Sequence, residues 1–326
     1  MPETIITVAG LQKRFDDVQA VAGIDFEIRR GELFGFLGPN GAGKSTTINM
    51  LTGLARPDAG DIRIAGIDCS QNPQAAQHLM GIVPDESNLY PELTGLENLT
   101  FCGSLYGMSK RDRTDRAEEL LDRFGLSEAG DRKFGGYSKG MKRKLTIAAG
   151  IIHAPPILFM DEPTTGIDVG SARQIRRLIA NLNTDGTTIF LTTHYIEEAE
   201  RLCGRIAFIV GGRIVRCDTV RELMRRADGR HVVEFTVSGK VADACEAIAA
   251  NWPGLHCQAD SERVRVESSE PVRVGPLVRL LEDRGMEVAE ARKLLPSLED
   301  VFVEITGLET GAMKQEKERT GKGGAR

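Results

Sequence analysis

The chain has 326 residues, 41% of them hydrophobic and 27% charged, which suits two globular domains and excludes disordered or fibrous classes. A formal net charge of −5 offers nucleic acid no global platform, and the most apolar stretch, 147–160, is cut by His153, Pro155 and Pro156 before it reaches spanning length. The six cysteines (Cys69, Cys102, Cys203, Cys217, Cys245, Cys257) are scattered without a C-x-x-C pair, which argues against a zinc site or a disulfide scaffold and for a reducing compartment.

Short apolar runs punctuated by Gly23 and Gly31 predict strands at 5–8, at 20–21 with 24–28, and at 33–37. Phe15 lies between the first two, as a core residue or as an exposed ring able to stack on a base. Gly38-Pro39-Asn40-Gly41-Ala42-Gly43-Lys44-Ser45-Thr46 then fits G-x-x-x-x-G-K-[ST], a phosphate-cradling loop. Gly41 and Gly43 let the backbone turn its N–H groups towards an anion, and the helix predicted from Thr46 adds its positive end. Lys44 can reach β- and γ-phosphates, and the Ser45 hydroxyl can ligand Mg2+. The bland alternative is a chance glycine turn; the strand before and helix after supply the context that the phosphate reading requires.

Residues 60–66 give a second hairpin signal, and Ile82-Val83-Pro84 ends a strand leading to Asp85. From 93 to 126 the apolar period becomes helical, through Leu96, Leu99, Leu105, Leu120, Leu121 and Phe124, an all-helical insertion whose charged run at 110–116 is a solvated face. Ser138 is a plausible N-cap for a helix over 142–152. Ile157-Leu158-Phe159-Met160 is a buried strand ending in Asp161-Glu162, the acidic half of a phosphate-loop site: Asp161 to hold Mg2+ and Glu162 to orient and polarise a water. A strand at 187–192 delivers Thr193-His194 to the same sheet edge, and a hairpin over 206–216 closes the domain. Residues 231–306 read as strand, helix, strand, strand, helix, strand and a last helix, a small α+β ferredoxin-like sandwich without a catalytic constellation. The predicted domains are therefore 1–224, with a helical subdomain at about 86–153, then 225–308, then a Lys-, Glu- and Gly-rich tail at 309–326 expected to be disordered.

These motifs, in this order, resemble the ATP-binding subunit of an ABC transporter. The loop at 38–46 is similar to the Walker A motif, residues 157–162 to Walker B, Tyr137-Ser138-Lys139-Gly140-Met141 to the signature loop, 165–168 to the D-loop, and His194 to the switch histidine. The resemblance implies an α/β cassette with a RecA-like core, an antiparallel β subdomain and a helical subdomain. It implies Phe15 stacked on adenine; Gly38 to Thr46, Ser138, Gly140 and Asp168 around ATP; Mg2+ on Ser45, Asp161 and Asp85; and Glu162, His194 and Asp85 at the reaction. Asp85 stands where the family usually has Gln, and Tyr137, Lys139 and Met141 depart from L-S-G-G-Q. The Y-S-x-G-M form and the C-terminal 298–306 resemble the ABC-2 exporter branch, for drugs, polysaccharides and antibiotics.

The implied activity is ATP hydrolysis coupled to export. A second cassette, identical or not, would close head to tail over the nucleotide, and an integral membrane permease would dock on the helical subdomain at the cytoplasmic face of the membrane. The rival is a cassette ATPase of translation or DNA repair; such relatives carry two cassettes or coiled-coil arms, which this chain lacks, and nucleic acid is not an expected partner. A kinase or GTPase fails on Ser138 to Met141 and on the missing N-K-x-D.

Overall fold

The computed structural model describes residues 3–227, 231–239, 241–294 and 297–308. The expected disordered tail at 309–326 lies outside them.

Two compact units divide the chain, the first reaching Thr219 and the second spanning Val220–Leu308. The first contains β1 (Thr4–Phe15), β2 (Val18–Arg29), β3 (Leu33–Leu37), α1 (Lys44–Leu51), β4 (Ala59–Ile64), β5 (Ile67–Asp68), α2 (Pro73–Gln77) and β6 (Met80–Val83). It continues with α3 (Gly95–Leu105), α4 (Lys110–Arg123), α5 (Lys139–Gly150), β7 (Ile157–Asp161), α6 (Val169–Thr184), β8 (Thr188–Thr193), α7 (Ile196–Leu202), β9 (Arg205–Val210) and β10 (Arg213–Thr219).

Six strands form one sheet in the order β10-β9-β3-β8-β7-β6, parallel except for the β10 edge. Both faces are covered, so β3 and β8 read as unbroken buried runs rather than alternating ones. Against this sheet lies an antiparallel one, β2-β1-β4-β5. Between them Phe26, Phe34, Phe36, Phe159 and Phe190 converge with ring centroids 5.3–6.0 Å apart. Each such burial contributes about 1.5–3 kcal/mol. The helical insertion is α3 to α5. A capping box on Thr94 and Glu97 starts α3, and Ser109 caps α4.

The second unit has α8 (Val220–Ala227), β11 (His231–Ser238), α9 (Ala242–Asn251), β12 (His256–Asp260), β13 (Arg263–Ser268), α10 (Val274–Asp283), β14 (Glu287–Leu294) and α11 (Leu298–Thr306). Its sheet runs β12-β13-β11-β14, antiparallel throughout, the ferredoxin-like order. Val233, Phe235, Val264, Val266, Leu277 and Leu281 fill its core. The sequence boundary at 224/225 falls inside α8, which packs on α11 and so belongs with the second unit.

One sequence expectation needs correction. Cys245 and Cys257, twelve residues apart, form a disulfide with Cα atoms 5.2 Å apart, joining α9 to β12. Neither cysteine is part of a short motif; the turn from helix to strand returns the second to the first, which spacing alone does not reveal. Cys69, Cys102, Cys203 and Cys217 are free. Among the described residues, no helix is long and apolar enough to cross a membrane.

Candidate nucleotide site

Parallel pairing brings four loops to one edge of the six-stranded sheet. The loop at 38–43 follows β3, Glu162 follows β7, His194 follows β8 and Asp85 follows β6. Ligands bind at that edge in open α/β sheets.

The glycine loop is shaped by close approach. A Cβ on Gly38 would stand 2.2 Å from the Ile209 carbonyl oxygen, and one on Gly43 would stand 2.4 Å from that of Ala20. Gly43, at φ 103°, is the N-cap of α1, a conformation that side chains rarely adopt. Ala42 is buried, its N–H donating to the Pro39 carbonyl at 3.2 Å; Pro39, Asn40 and Thr46 are half-buried; Gly41 and Ser45 are exposed. The Lys44 side chain is only 5% exposed, and its ammonium donates to the carbonyls of Gly38 at 2.7 Å and Pro39 at 3.0 Å. It also lies 3.4 Å from Glu162 Oε1.

Asp161 ends β7 and accepts a hydrogen bond from the Thr192 hydroxyl of neighbouring β8. Glu162 is buried with φ 46°, the left-handed region, which costs a non-glycine residue about 1–3 kcal/mol unless neighbours hold it. Its N–H donates to the Thr192 carbonyl at 3.0 Å, and Thr165 donates to its Oε2 at 3.0 Å. His194 Nδ1 is 3.0 Å from that same oxygen, close but off the line of a hydrogen bond. Burial pushes the Glu162 carboxyl up; His194, Lys44 and Thr165 outweigh it and hold the group down at about 2. It is therefore an anion at neutral pH.

Ser138 caps α5, its hydroxyl accepting from the Met141 N–H at 3.3 Å. Gly140 is required for packing, since a Cβ there would meet Ser171 Oγ at 2.3 Å. Asp168 caps α6, accepting from the Ser171 N–H at 2.9 Å, and the Ser171 hydroxyl together with that N–H lowers its pKa. Phe15 is 49% exposed, with the Lys13 ammonium 5.3 Å from its ring centre. Tyr137, in place of the usual Leu, is buried and donates to the Ala129 carbonyl at 2.5 Å. Lys139 is exposed and lines a cleft of about 460 Å³ with Asp85 and Glu86.

Hard oxygen donors on Ser45, Asp161 and Asp85 suit Mg2+, which takes one or two carboxylates and completes its shell with phosphate oxygens and water. Among the described residues, no cluster of three His, Cys, Asp or Glu stands ready to hold a metal without such help.

Sequence reading assigned no role to four residues beside this site. Thr192 and Thr165 brace the two acids. Glu198 on α7, 3% exposed, accepts from the Thr164 hydroxyl at 2.7 Å. Arg143 on α5, also buried, reaches the backbone of the Asp85 and Glu162 loops. Helix α6 went unread as well, although Asp168 followed by Ile175, Ile179 and Leu182 has a cap and the right spacing.

A family model described as ABC transporter matches residues 21–165. The daunorubicin resistance ATP-binding protein DrrA3 of Streptomyces coeruleorubidus is 36% identical over 311 residues, covering 94% of this chain and 97% of its own. The Nod factor export ATP-binding protein I of Rhizobium sp. (strain N33) is 38% identical, covering 95% and 99%. Among solved structures, the dimeric bacterial ABC transporter cassette MJ0796 superposes with a TM-score of 0.62 at 28% identity, over 67% of this chain and 99% of that one.

Proposed function

The chain belongs to the ABC transporter family as an ATP-binding cassette, and from that premise we propose that it binds and hydrolyses ATP to drive export through a membrane subunit. The observation that carries the chemistry is the buried Lys44–Glu162–His194 group at the sheet edge, below a glycine loop shaped for an anion. Lys44 spends its donors on two loop carbonyls, bonds that phosphate oxygens would replace with stronger charge-assisted ones. Glu162, ionised and oriented by Thr165 and His194, would accept a proton from the attacking water. His194 would face the γ-phosphate. Ser45, Asp161 and Asp85 would hold Mg2+, which supplies charge neutralisation at the β- and γ-oxygens when bound. Phe15 would stack on the base, and Gly38 to Thr46 would wrap the phosphates.

Ser138, Gly140 and Asp168 would serve a second cassette's nucleotide, giving a homodimer or a heterodimer that ATP closes and hydrolysis opens. Relatives described as a resistance and an export ATP-binding protein support the exporter reading over a role in translation or repair. Tyr90, Phe101 and Leu105 are exposed on the helical insertion, and the Tyr90 and Phe101 rings pack edge to face at 5.3 Å. Such an apolar patch suits a permease's cytoplasmic helix, which would hold this chain at the inner face of the membrane.

Purified protein assayed with ATP and with GTP, Mg2+ present or chelated, tests the reading. We expect Mg2+-dependent ATP hydrolysis, and in Lys44→Ala a loss of nucleotide affinity of about tenfold or more, the scale of a lost charge-assisted bond. Unchanged affinity in that variant would remove Lys44 from the phosphates. A membrane protein co-purifying from detergent extracts would identify the partner.

A further inference from the structure

Arg143 is the one arginine among the buried polar and charged side chains of the described residues, at 7% exposure. It sits on α5 one turn after the Ser138 cap, and no motif drew attention to it. Its guanidinium does not simply answer a carboxylate. Nη1 donates to the Pro84 carbonyl at 2.5 Å; Nη2 donates to the Asp85 carbonyl at 2.5 Å and to the Glu162 carbonyl at 3.4 Å. The Asp85 carboxylate stands 3.6 Å away. Three backbone carbonyls from two loops are thus gathered by one planar fork, a geometry that an ammonium does not reproduce.

Both loops carry residues assigned above to the reaction. Glu162 is the residue whose left-handed φ must be held by its surroundings. Thr192 holds its N–H from the β8 side, and Arg143 holds its carbonyl from the α5 side. Burial lowers the guanidinium's pKa and Asp85, Asp161, Glu162 and Glu198 offset this only in part, but an arginine keeps its charge in a protein, so the fork stays a cation among acidic neighbours.

We propose that Arg143 is a positioning residue for hydrolysis: it fixes the backbone of Glu162 and of the Asp85 loop to the helix that begins at Ser138, so that the water-orienting carboxylate and the helix start offered to a second cassette keep one geometry. The inference rests on the reading of Glu162 as the water-orienting group. Arg143 touches no phosphate in this scheme and acts on the turnover step rather than on ATP affinity.

The full chain is compared as wild type, Arg143→Met, Arg143→Lys and Glu162→Gln, measuring kcat, ATP dissociation constant and melting temperature. In Arg143→Met we expect kcat to fall by about tenfold to a hundredfold, the range for a catalytic group displaced by an ångström or less, with ATP affinity within about threefold. Arg143→Lys, which keeps the charge but spans fewer carbonyls, should lie between the two. If Arg143→Met turns over at the wild-type rate, or if both Arg143 variants lose ATP affinity and melting temperature together with kcat, the inference is overturned, the second pattern marking a merely structural residue. Should Arg143→Met fail to fold, Arg143→Lys decides: a fivefold or larger fall in kcat at unchanged affinity supports the proposal, and a wild-type kcat sinks it. Near-normal turnover in Glu162→Gln overturns the underlying reading and this inference with it. Lost turnover there beside normal Arg143→Met rejects the inference alone.

Discussion

The two units of the chain bury different things. The first hides Lys44, Arg143, Glu162, His194 and Glu198, while the second, among its described residues, buries a single polar side chain, Ser268, in a core of Val, Phe, Leu and Met. Removing a charge from water costs several kcal/mol even after relaxation, and an apolar replacement is commonly neutral or stabilising. A fold that needed only stability would look like the second unit throughout. The concentration of buried charge at one sheet edge of the first marks where the chain spends stability on chemistry.

The comparison breaks most visibly at Glu162. Glu162→Gln keeps size and hydrogen-bonding shape but removes the anion held at about 2. ATP hydrolysis should fall by about a hundredfold to ten-thousandfold, the usual range for a general base, with ATP still bound. The variant should also accumulate an ATP-bound dimer on size-exclusion chromatography. Residual turnover near wild type would remove Glu162 from the reaction.

On the other side, Phe235→Ala empties the centre of the second unit, where Phe235 is fully buried. A loss of about 3–5 kcal/mol is expected there. Limited proteolysis should then cut the 220–308 region first, while ATP affinity, measured by fluorescence titration, stays within about threefold. A parallel loss of ATP binding would mean that the second unit completes the nucleotide site.

How much of this was legible follows the same division. Strands β3, β7 and β8 announced themselves because burial on both faces gives each an unbroken apolar stretch rather than an alternating one, and the loops they deliver carry short, chemically specific motifs. The βαββαβ order of the second unit was readable from alternating periods. The Cys245–Cys257 bond, the Arg143 fork and the Glu198–Thr164 contact were not. Each joins segments whose meeting depends on tertiary packing, and an arginine that binds backbone carbonyls leaves no complementary residue type in the sequence to find. Phe15 was ambiguous for a related reason: a ring at a strand end is core or surface according to what covers it, and here nearly half of it is open.

Glu162 and Glu198 offer a sharper test, because burial acts on both and prevails in only one. Glu162 sits below the ordinary carboxyl value of 4.5, so it contributes stability above that pH that is lost as pH falls towards 2. Burial raises Glu198 above the same value, with Thr164, Thr193, Arg176 and His194 only partly offsetting it. Its carboxyl binds a proton more tightly folded than unfolded, so folding is favoured below 4.5 and loses that advantage as pH rises through the raised value. Glu198→Gln should therefore melt higher relative to wild type as pH climbs from 4.5, and Glu162→Gln lower, each kcal/mol moving the transition by a few degrees. Melting differences of one sign in both variants would contradict the assignment.

The smallest effect is expected at Lys139. A cation in the first turn of α5 stands against the helix dipole, a cost of about 0.3–1 kcal/mol. The side chain is exposed, in the cleft that Asp85 and Glu86 also line, where acidic neighbours offset that cost. The competing role is an added positive charge on a partner's γ-phosphate, in the manner of an arginine finger, whose loss would cost about a thousandfold or more in rate. Glycine is the residue that the resemblance places at this position, and it carries no charge to give. If Lys139 is a tolerated surface cation, Lys139→Gly leaves hydrolysis within a few-fold, because the lost dipole penalty offsets the extra backbone freedom of glycine in a first turn. A hundredfold fall in Lys139→Gly, with ATP binding and melting temperature intact, would instead place the lysine at the transferring phosphate.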